Sequence, residues 1–453
     1  MWCTMSFVGG QLRETIRQKI VDSLASPVPD YTRRDLRIPS VPGKAIAVIG
    51  MRRTGKTTFL WQTLADRLDR GTPREGLLHL SFEDERLAGM TTADLSLVVE
   101  EYFRLHPEWR DRHQATFFLD EIQVVRGWEM FARRLLDTEK VDLFLSGSSA
   151  RLLSREVATS MRGRAMEVLV HPFSFREALR HGGQEPADAV EDLPKAARSE
   201  LERNLSGYLA GGGFPEAQGV PVRDRVDLLR GYVDVVLLRD VIERHRVSHP
   251  VALRWMTRQL LGNAAGTFSV NKFHQSLRSQ GIPVGKDTLH SYLSHLEDAF
   301  LVRIVSIATE SERQRMVNPR KVYPIDMGLI PVFDRSGKAN VGHALETAVY
   351  LELERRGAEI SYVKSATDGY EVDFLARYPD GHQELIQVCA NLENPAVRER
   401  EVRALVEAAP THPRASLNIV AMTPGLRKDV PSSVQIHPAS AWLLAEGSED
   451  AER

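Results

Sequence analysis

Gly50-Met51-Arg52-Arg53-Thr54-Gly55-Lys56-Thr57 satisfies the pattern G-x-x-x-x-G-K-[ST] at every required position, the spacing of a loop that wraps phosphate groups in main-chain N–H donors. Its flanks agree. Ala45-Ile46-Ala47-Val48-Ile49 is a short apolar run bounded by Pro42-Gly43 and Gly50, the mark of a buried parallel strand. Phe59 to Leu64 then carries apolar residues at helical spacing. Strand, glycine loop and helix in that order aim a positive helix N-terminus at the phosphates of a nucleotide. Gly50, Arg53, Thr54, Gly55, Lys56, Thr57 and Thr58 are the expected nucleotide contacts, with Lys56 on the β- and γ-phosphates and the Thr57 hydroxyl on magnesium. Arg52 and Arg53 suit either the nucleotide or a neighbouring subunit.

The chain has 453 residues, enough for two to four domains, and three are expected. It is 42% hydrophobic and 26% charged, with no apolar run near the roughly 18 residues of a membrane span. The first ten residues lack the pattern of a signal peptide, so a cytoplasmic, membrane-free protein is expected. Cys3 and Cys389 make neither a disulfide framework nor a metal cluster. A formal net charge of -2 leaves partner surfaces to be sought locally.

Further apolar runs at Leu77–Phe82, Thr116–Leu119, Val141–Leu145 and Met166–Val170 predict, with the first, a five-stranded parallel sheet joined by crossover helices. The third strand ends in Asp120-Glu121, the apolar-apolar-Asp-Glu form of a Walker B element. Asp120 is expected to hold the magnesium shell and Glu121 to polarise the attacking water. Ser146-Gly147-Ser148-Ser149 closes the fourth strand; Ser148 is the expected γ-phosphate contact, or these small residues simply turn the chain into the next helix. Arg162 and Arg164 are candidate arginine fingers, cations that stabilise charge in phosphoryl transfer.

With these motifs the chain resembles the prokaryotic AAA-like P-loop ATPases that carry a C-terminal domain of uncharacterised function. Besides the phosphate loop, the matching stretches are Phe118-Leu119-Asp120-Glu121-Ile122-Gln123, Leu145-Ser146-Gly147-Ser148-Ser149, Arg162-Gly163-Arg164 and His171-Pro172-Phe173-Ser174-Phe175-Arg176-Glu177. Gly212-Gly213-Phe214-Pro215-Glu216 and Leu238-Arg239-Asp240-Val241 are also similar. The resemblance implies an ATPase using ATP and Mg2+, with additional domains after the motor, and it fixes no substrate.

The expected architecture is α/β: a P-loop ATPase core over residues 1–180, a linker and helical lid over 181–248, a winged helix over 249–325 and a nuclease-like domain over 326–453. Val251–Leu261, Val270–Ser279 and Asp287–Phe300 read as three helices, and Leu301–Ile307 and Met316–Tyr323 as a hairpin around a polar tip. From Arg244 to Lys321 there are twelve Lys/Arg against five Asp/Glu, a local excess that suits DNA phosphates. Lys272, Lys286, His290, Arg313, Arg315, Arg320 and Lys321 are the expected DNA contacts. Use of the same module against protein is the alternative.

The last region resembles the PD-(D/E)XK nuclease core, in which an acid on a helix, an Asp on a strand and an acid-x-Lys on the next strand gather a divalent metal. Glu346 and Asp373 match; Gln387 and Cys389 stand where an acid and a lysine are required. The expectation is a catalytically dead fold, with Lys364 as a substitute cation if it is active. The whole chain then reads as a Mg2+-dependent ATPase that binds and remodels or translocates on DNA, as a homo-oligomer and in one form a ring. Rival readings are a regulatory switch acting on protein partners and an active metal-dependent nuclease.

Overall fold

The computed structural model describes residues 2–147, 161, 163–334, 340–364, 370–425 and 430–445, with side chains from residue 10 onward except at 316 and 317. The chain forms two compact units, Met1–His171 and Pro172–Arg453.

The first unit runs α1 (Trp2–Ala25), β1 (Ala45–Ile49), α2 (Lys56–Asp69), β2 (Leu77–Ser81), α3 (Thr92–Leu105), β3 (Ala115–Asp120), α4 (Trp128–Thr138), β4 (Val141–Gly147) and β5 (Ala165–Leu169). Helix α1 runs unbroken, because no proline interrupts the segment. The strands make the expected five-stranded parallel sheet, in the order β2-β3-β4-β1-β5. Every residue of β1 and β3 is buried, which is why these strands read as unbroken apolar runs rather than alternating ones. Ile46, Val48, Phe118 and Phe144 pack against Phe59, Leu60 and Leu64 of α2. That packing fixes the helix whose first residue is Lys56 directly behind the strand that delivers Gly50.

The second unit opens with α5 (Phe175–His181), α6 (Lys195–Gly211) and α7 (Val222–Val235), the last continued by a π-helical stretch, Val236–Glu243. Then come α8 (Pro250–Gly262), β6 (Thr267–Phe268), α9 (Val270–Ser279), α10 (Lys286–Asp298), β7 (Val302–Val305), α11 (Glu312–Val317) and β8 (Arg320–Pro324). The three strands form an antiparallel sheet in the order β6-β8-β7. The expected second hairpin strand, Met316–Tyr323, begins later than its apolar residues suggested. Ser311 caps α11 by accepting from the Gln314 N–H, and that short helix takes up Met316 and Val317.

The chain ends with α12 (Val341–Arg355), β9 (Glu359–Lys364), β10 (Glu371–Arg377), β11 (Gln383–Asn391), α13 (Pro395–Ala408), β12 (Ala415–Thr423), β13 (Val434–Pro438) and α14 (Ala439–Leu444). Its sheet is mixed, ordered β13-β12-β11-β10-β9, antiparallel from β9 to β11 and parallel from β11 to β13. A register shift between Val372 and Leu375 marks a bulge; both of those residues belong to the apolar core, and Asp373 lies between them. The expected divisions at residues 248 and 325 do not separate compact units. Strand β8 buries Lys321 and Tyr323 against residues of α12 and β10, so the three-stranded sheet and the C-terminal fold share one core.

Candidate functional site

The phosphate loop is shaped for close approach. Gly50 has φ 147°, and a Cβ there would stand 2.4 Å from the Val170 carbonyl oxygen, so no other residue fits. Gly55, at φ 96°, turns the chain into α2. The Thr54 hydroxyl donates to the Met51 carbonyl at 2.9 Å, and the buried Lys56 ammonium rests on the same carbonyl at 3.0 Å. Arg53 lies exposed at φ 69°, and Thr58 follows Thr57 in the first turn of α2.

The Walker B pair closes the other side. Thr57 donates to Asp120 Oδ2 at 2.8 Å, so the hydroxyl and the carboxylate expected to share magnesium already face each other. Ser146 donates to Asp120 Oδ1 and accepts from the Glu121 N–H at 3.0 Å. Glu121 holds a left-handed conformation at φ 53°, one that a non-glycine residue keeps only where its surroundings enforce it. The Gln123 amide donates to Glu121 Oε2. Beyond β2, Glu83 stands 3.6 Å from Arg52. Partial burial raises its carboxyl above the ordinary range, Glu121 adds to this, and Arg52 pulls it back. These donors fit a nucleotide and magnesium: the glycine cradle admits main-chain contact, and Thr57 and Asp120 supply the hard oxygen ligands magnesium prefers.

Ser146, Glu83 and Arg34 were not among the expected site residues. Parallel pairing sets Leu119 opposite Leu145, so the signal for Ser146 was register: the residue after Leu145 must stand beside Asp120. Arg34, 4% exposed, donates to the carbonyls of Thr54 and His171 at 2.9 and 2.6 Å. Its own main chain is held in both directions by the Gln62 amide. It thus fastens the lead-in segment to the phosphate loop, a long-range contact that no local pattern announces.

Two expected residues, Ser148 and Arg162, lie outside the described residues. Arg164 does not join the phosphate site of its own chain. It precedes β5, whose Ala165 pairs with Ala45, and so sits at the start of the parallel strands, a full strand length of roughly 16 Å from Gly50. There it pairs with Asp137 of α4.

In the second unit Lys272, Lys286, His290, Arg313 and Arg315 are exposed and Arg320 is half-buried. Arg315 also pairs with Glu312 at 3.4 Å. Lys321 is not a surface cation. Its side chain is 4% exposed, and its ammonium lies 3.1 Å from Glu346, 2.9 Å from Glu371 and 2.9 Å from Asp373. Burial opposes the charged form, but Asp373, Glu346 and Glu371 outweigh it and hold the ammonium above its ordinary pKa. Tyr323, two residues on and therefore on the same strand face, donates to Glu346 at 2.8 Å and stacks on Tyr350. Asp373 also accepts from the Val388 N–H at 3.0 Å. Gln387 accepts from the Asp373 N–H and donates to Glu401 at 2.5 Å. Cys389 packs in the apolar core, and Lys364 is exposed. The cation that stands with Glu346 and Asp373 is thus Lys321 rather than Lys364.

The chain matches the family described as an AAA domain over residues 42–179, and a domain of unknown function, DUF8612, over residues 202–337. It is 31% identical over 423 residues to the uncharacterized protein MJ1544 of Methanocaldococcus jannaschii, covering 91% of this chain and 90% of that protein. The chain belongs to this family of AAA-domain proteins. An uncharacterized protein of Haemophilus influenzae is 29% identical over 334 residues, covering 74% of this chain and 79% of its own length. Among solved structures, the Walker-type ATPase PABY2304 of Pyrococcus abyssi is similar at 16% identity and TM-score 0.40, over 71% of this chain and 95% of that one. Cdc6p from Pyrobaculum aerophilum is similar at 14% identity and TM-score 0.24, over 71% and 92%. The AAA-domain match supports an ATPase of the P-loop class at that general level. Among the described residues no helix is long and apolar enough to cross a membrane.

Proposed function

We propose that the protein is a Mg2+-dependent ATPase that couples ATP binding and hydrolysis to the binding and remodelling of DNA, or to movement along it. The observation that carries the ATPase reading is the Thr57–Asp120–Ser146 chain of hydrogen bonds, which orients one acid for magnesium and sets the next, Glu121, beside it. Thr57 and Asp120 would hold the magnesium ion, which would supply charge neutralisation in phosphoryl transfer. Lys56 moves from the Met51 carbonyl to the phosphate oxygens, and Glu121, released by Gln123, orients and polarises the attacking water. Arg164, facing away from its own site, suits the site of a neighbouring subunit in a homo-oligomer.

The layout α8, β6, α9, α10, β7, β8 supports a winged-helix reading, with α10 as the helix for a major groove. Leu289, Tyr292, Leu293 and Leu296 face the core of that module, while Lys286 and His290 face outward. Lys272 and Arg278 of α9 are exposed as well, and such cations bind phosphates without regard to sequence. Reversing Lys286→Glu together with Arg315→Glu is expected to weaken duplex binding by about tenfold or more at low salt and to leave DNA-free hydrolysis unchanged. Fluorescence anisotropy with labelled duplex checks this, and equal affinity of the two proteins would move the DNA surface elsewhere.

A specific observation favours the second reading, a switch acting on protein partners. Val235, Leu238, Val251 and Trp255 are exposed, and the Arg254–Asp234 pair at 3.0 Å brings their two segments side by side. An exposed apolar patch of this kind suits a protein contact. Binding that survives high salt would mark that partner class, because apolar contacts lack the steep salt dependence of phosphate contacts.

A further inference from the structure

The C-terminal fold carries the acids of a metal-dependent nuclease, and a lysine stands among them. Glu346 from α12 and Glu371 and Asp373 from β10 converge on the Lys321 ammonium at 2.9 to 3.1 Å. An ammonium has three protons to donate and no acceptor capacity, so three carboxylate oxygens saturate it. A divalent ion would have to lie about 2.0–2.6 Å from the same oxygens, in the space Nζ already fills. The other nuclease positions offer no replacement. Gln387 is neutral, with its carbonyl turned to the Asp373 N–H and its amide to Glu401. With Nζ between them, Glu346, Glu371 and Asp373 form no metal-holding group among the described residues, so a metal could enter only where Lys321 is removed and the acids close in. The divalent metal that the nuclease resemblance implies therefore does not fit the residues present.

We propose that Lys321 is the permanent cation of this centre: its ammonium takes the place of the metal, and the former nuclease acids serve as an ionic clamp on strand β8. The ligand of the site is thus part of the chain. Because the clamped strand belongs to the three-stranded sheet, the centre fixes that sheet to the C-terminal fold. Tyr323 reinforces the attachment from the same strand face, through its bond to Glu346 and its stacking on Tyr350. The same arrangement replaces metal-dependent strand cleavage with a structural role. This inference does not depend on whether the chain acts on DNA or on protein.

The test is Mn2+ binding by the nucleotide-free full-length chain carrying Asp120→Asn, which removes the acid of the phosphate-loop site, followed by electron paramagnetic resonance of free Mn2+ and by melting temperature. With Lys321 intact, no Mn2+ should bind at the C-terminal centre and Mn2+ should not shift the melting temperature. Lys321→Met should lower the melting temperature, gain a Mn2+ site, and recover part of the loss when Mn2+ is added; a further Asp373→Asn should abolish the gained site. Two outcomes overturn the proposal: Mn2+ binding by the Lys321 chain that Asp373→Asn removes, or a folded Lys321→Met chain that binds no Mn2+. Should Lys321→Met fail to fold, the intact-lysine titration still decides, together with plasmid cleavage: Mn2+-dependent cleavage lost on Asp373→Asn would show that the centre uses metal.

Discussion

Each unit of the chain sets a lysine among groups that mark a charged centre, and the two lysines are held in opposite ways. Lys56, in the phosphate loop, rests on a neutral main-chain carbonyl at 3.0 Å. Lys321, in the C-terminal fold, is saturated by three carboxylates and buried. A contact to a neutral carbonyl is one that an anionic phosphate can replace with a stronger, charge-assisted one. Three carboxylates at hydrogen-bond distance hold it in place, and removing either side strands buried charge. One lysine is thus poised for a ligand and the other has become the ligand.

The largest expected effect that would break this contrast lies in the first unit. Glu121→Gln should retain ATP binding and lose turnover by about 10²–10⁴-fold, the usual contribution of a positioned general base; phosphate release and nucleotide titration measure the two separately. Unchanged turnover would remove Glu121 from the reaction. Next comes Lys321→Ala, which should destabilise the second unit by about 3–5 kcal/mol, because it leaves Glu346 and Asp373 buried without their cation. Urea denaturation reads that loss, while hydrolysis per folded chain should stay at the basal rate. A loss under about 1 kcal/mol would show that the clamp is an ordinary surface-type pair. The smallest effect is at Ser146. Ser146→Ala removes the donor to Asp120 and the acceptor of the Glu121 N–H, an expected loss of about 1.5–3 kcal/mol in transition-state stabilisation, or roughly tenfold or more in kcat. Equal kcat would mean that Thr57 alone orients Asp120.

What could be read in the sequence was whatever depends on neighbours along the chain. The phosphate loop, the Asp120-Glu121 pair and all five parallel strands were legible because a buried strand and a glycine loop each impose a local pattern. Glu346 and Asp373 were singled out through the resemblance to a nuclease core, and the fold brings both to Lys321. Lys321 was misread as a surface cation because counting charges ignores strand faces: Lys321 and Tyr323 alternate inward with Val322, and only the fold shows that their shared face meets α12 and β10. Ser146 and Arg34 were missed for a related reason. Each acts on a partner brought close by sheet register or by a strap of irregular chain, and neither leaves a periodic trace.

The central claim, an ATPase whose cycle is coupled to DNA, is tested most directly by steady-state ATP hydrolysis with Mg2+. The rate would be followed without DNA and with duplex, single-stranded or branched DNA at two salt concentrations, with Glu121→Gln as the blank. The account predicts hydrolysis that the blank lacks, stimulated by one form of DNA and losing that stimulation as salt rises. Hydrolysis equal in the blank would contradict the assignment of the site, and robust hydrolysis indifferent to every DNA would contradict the coupling.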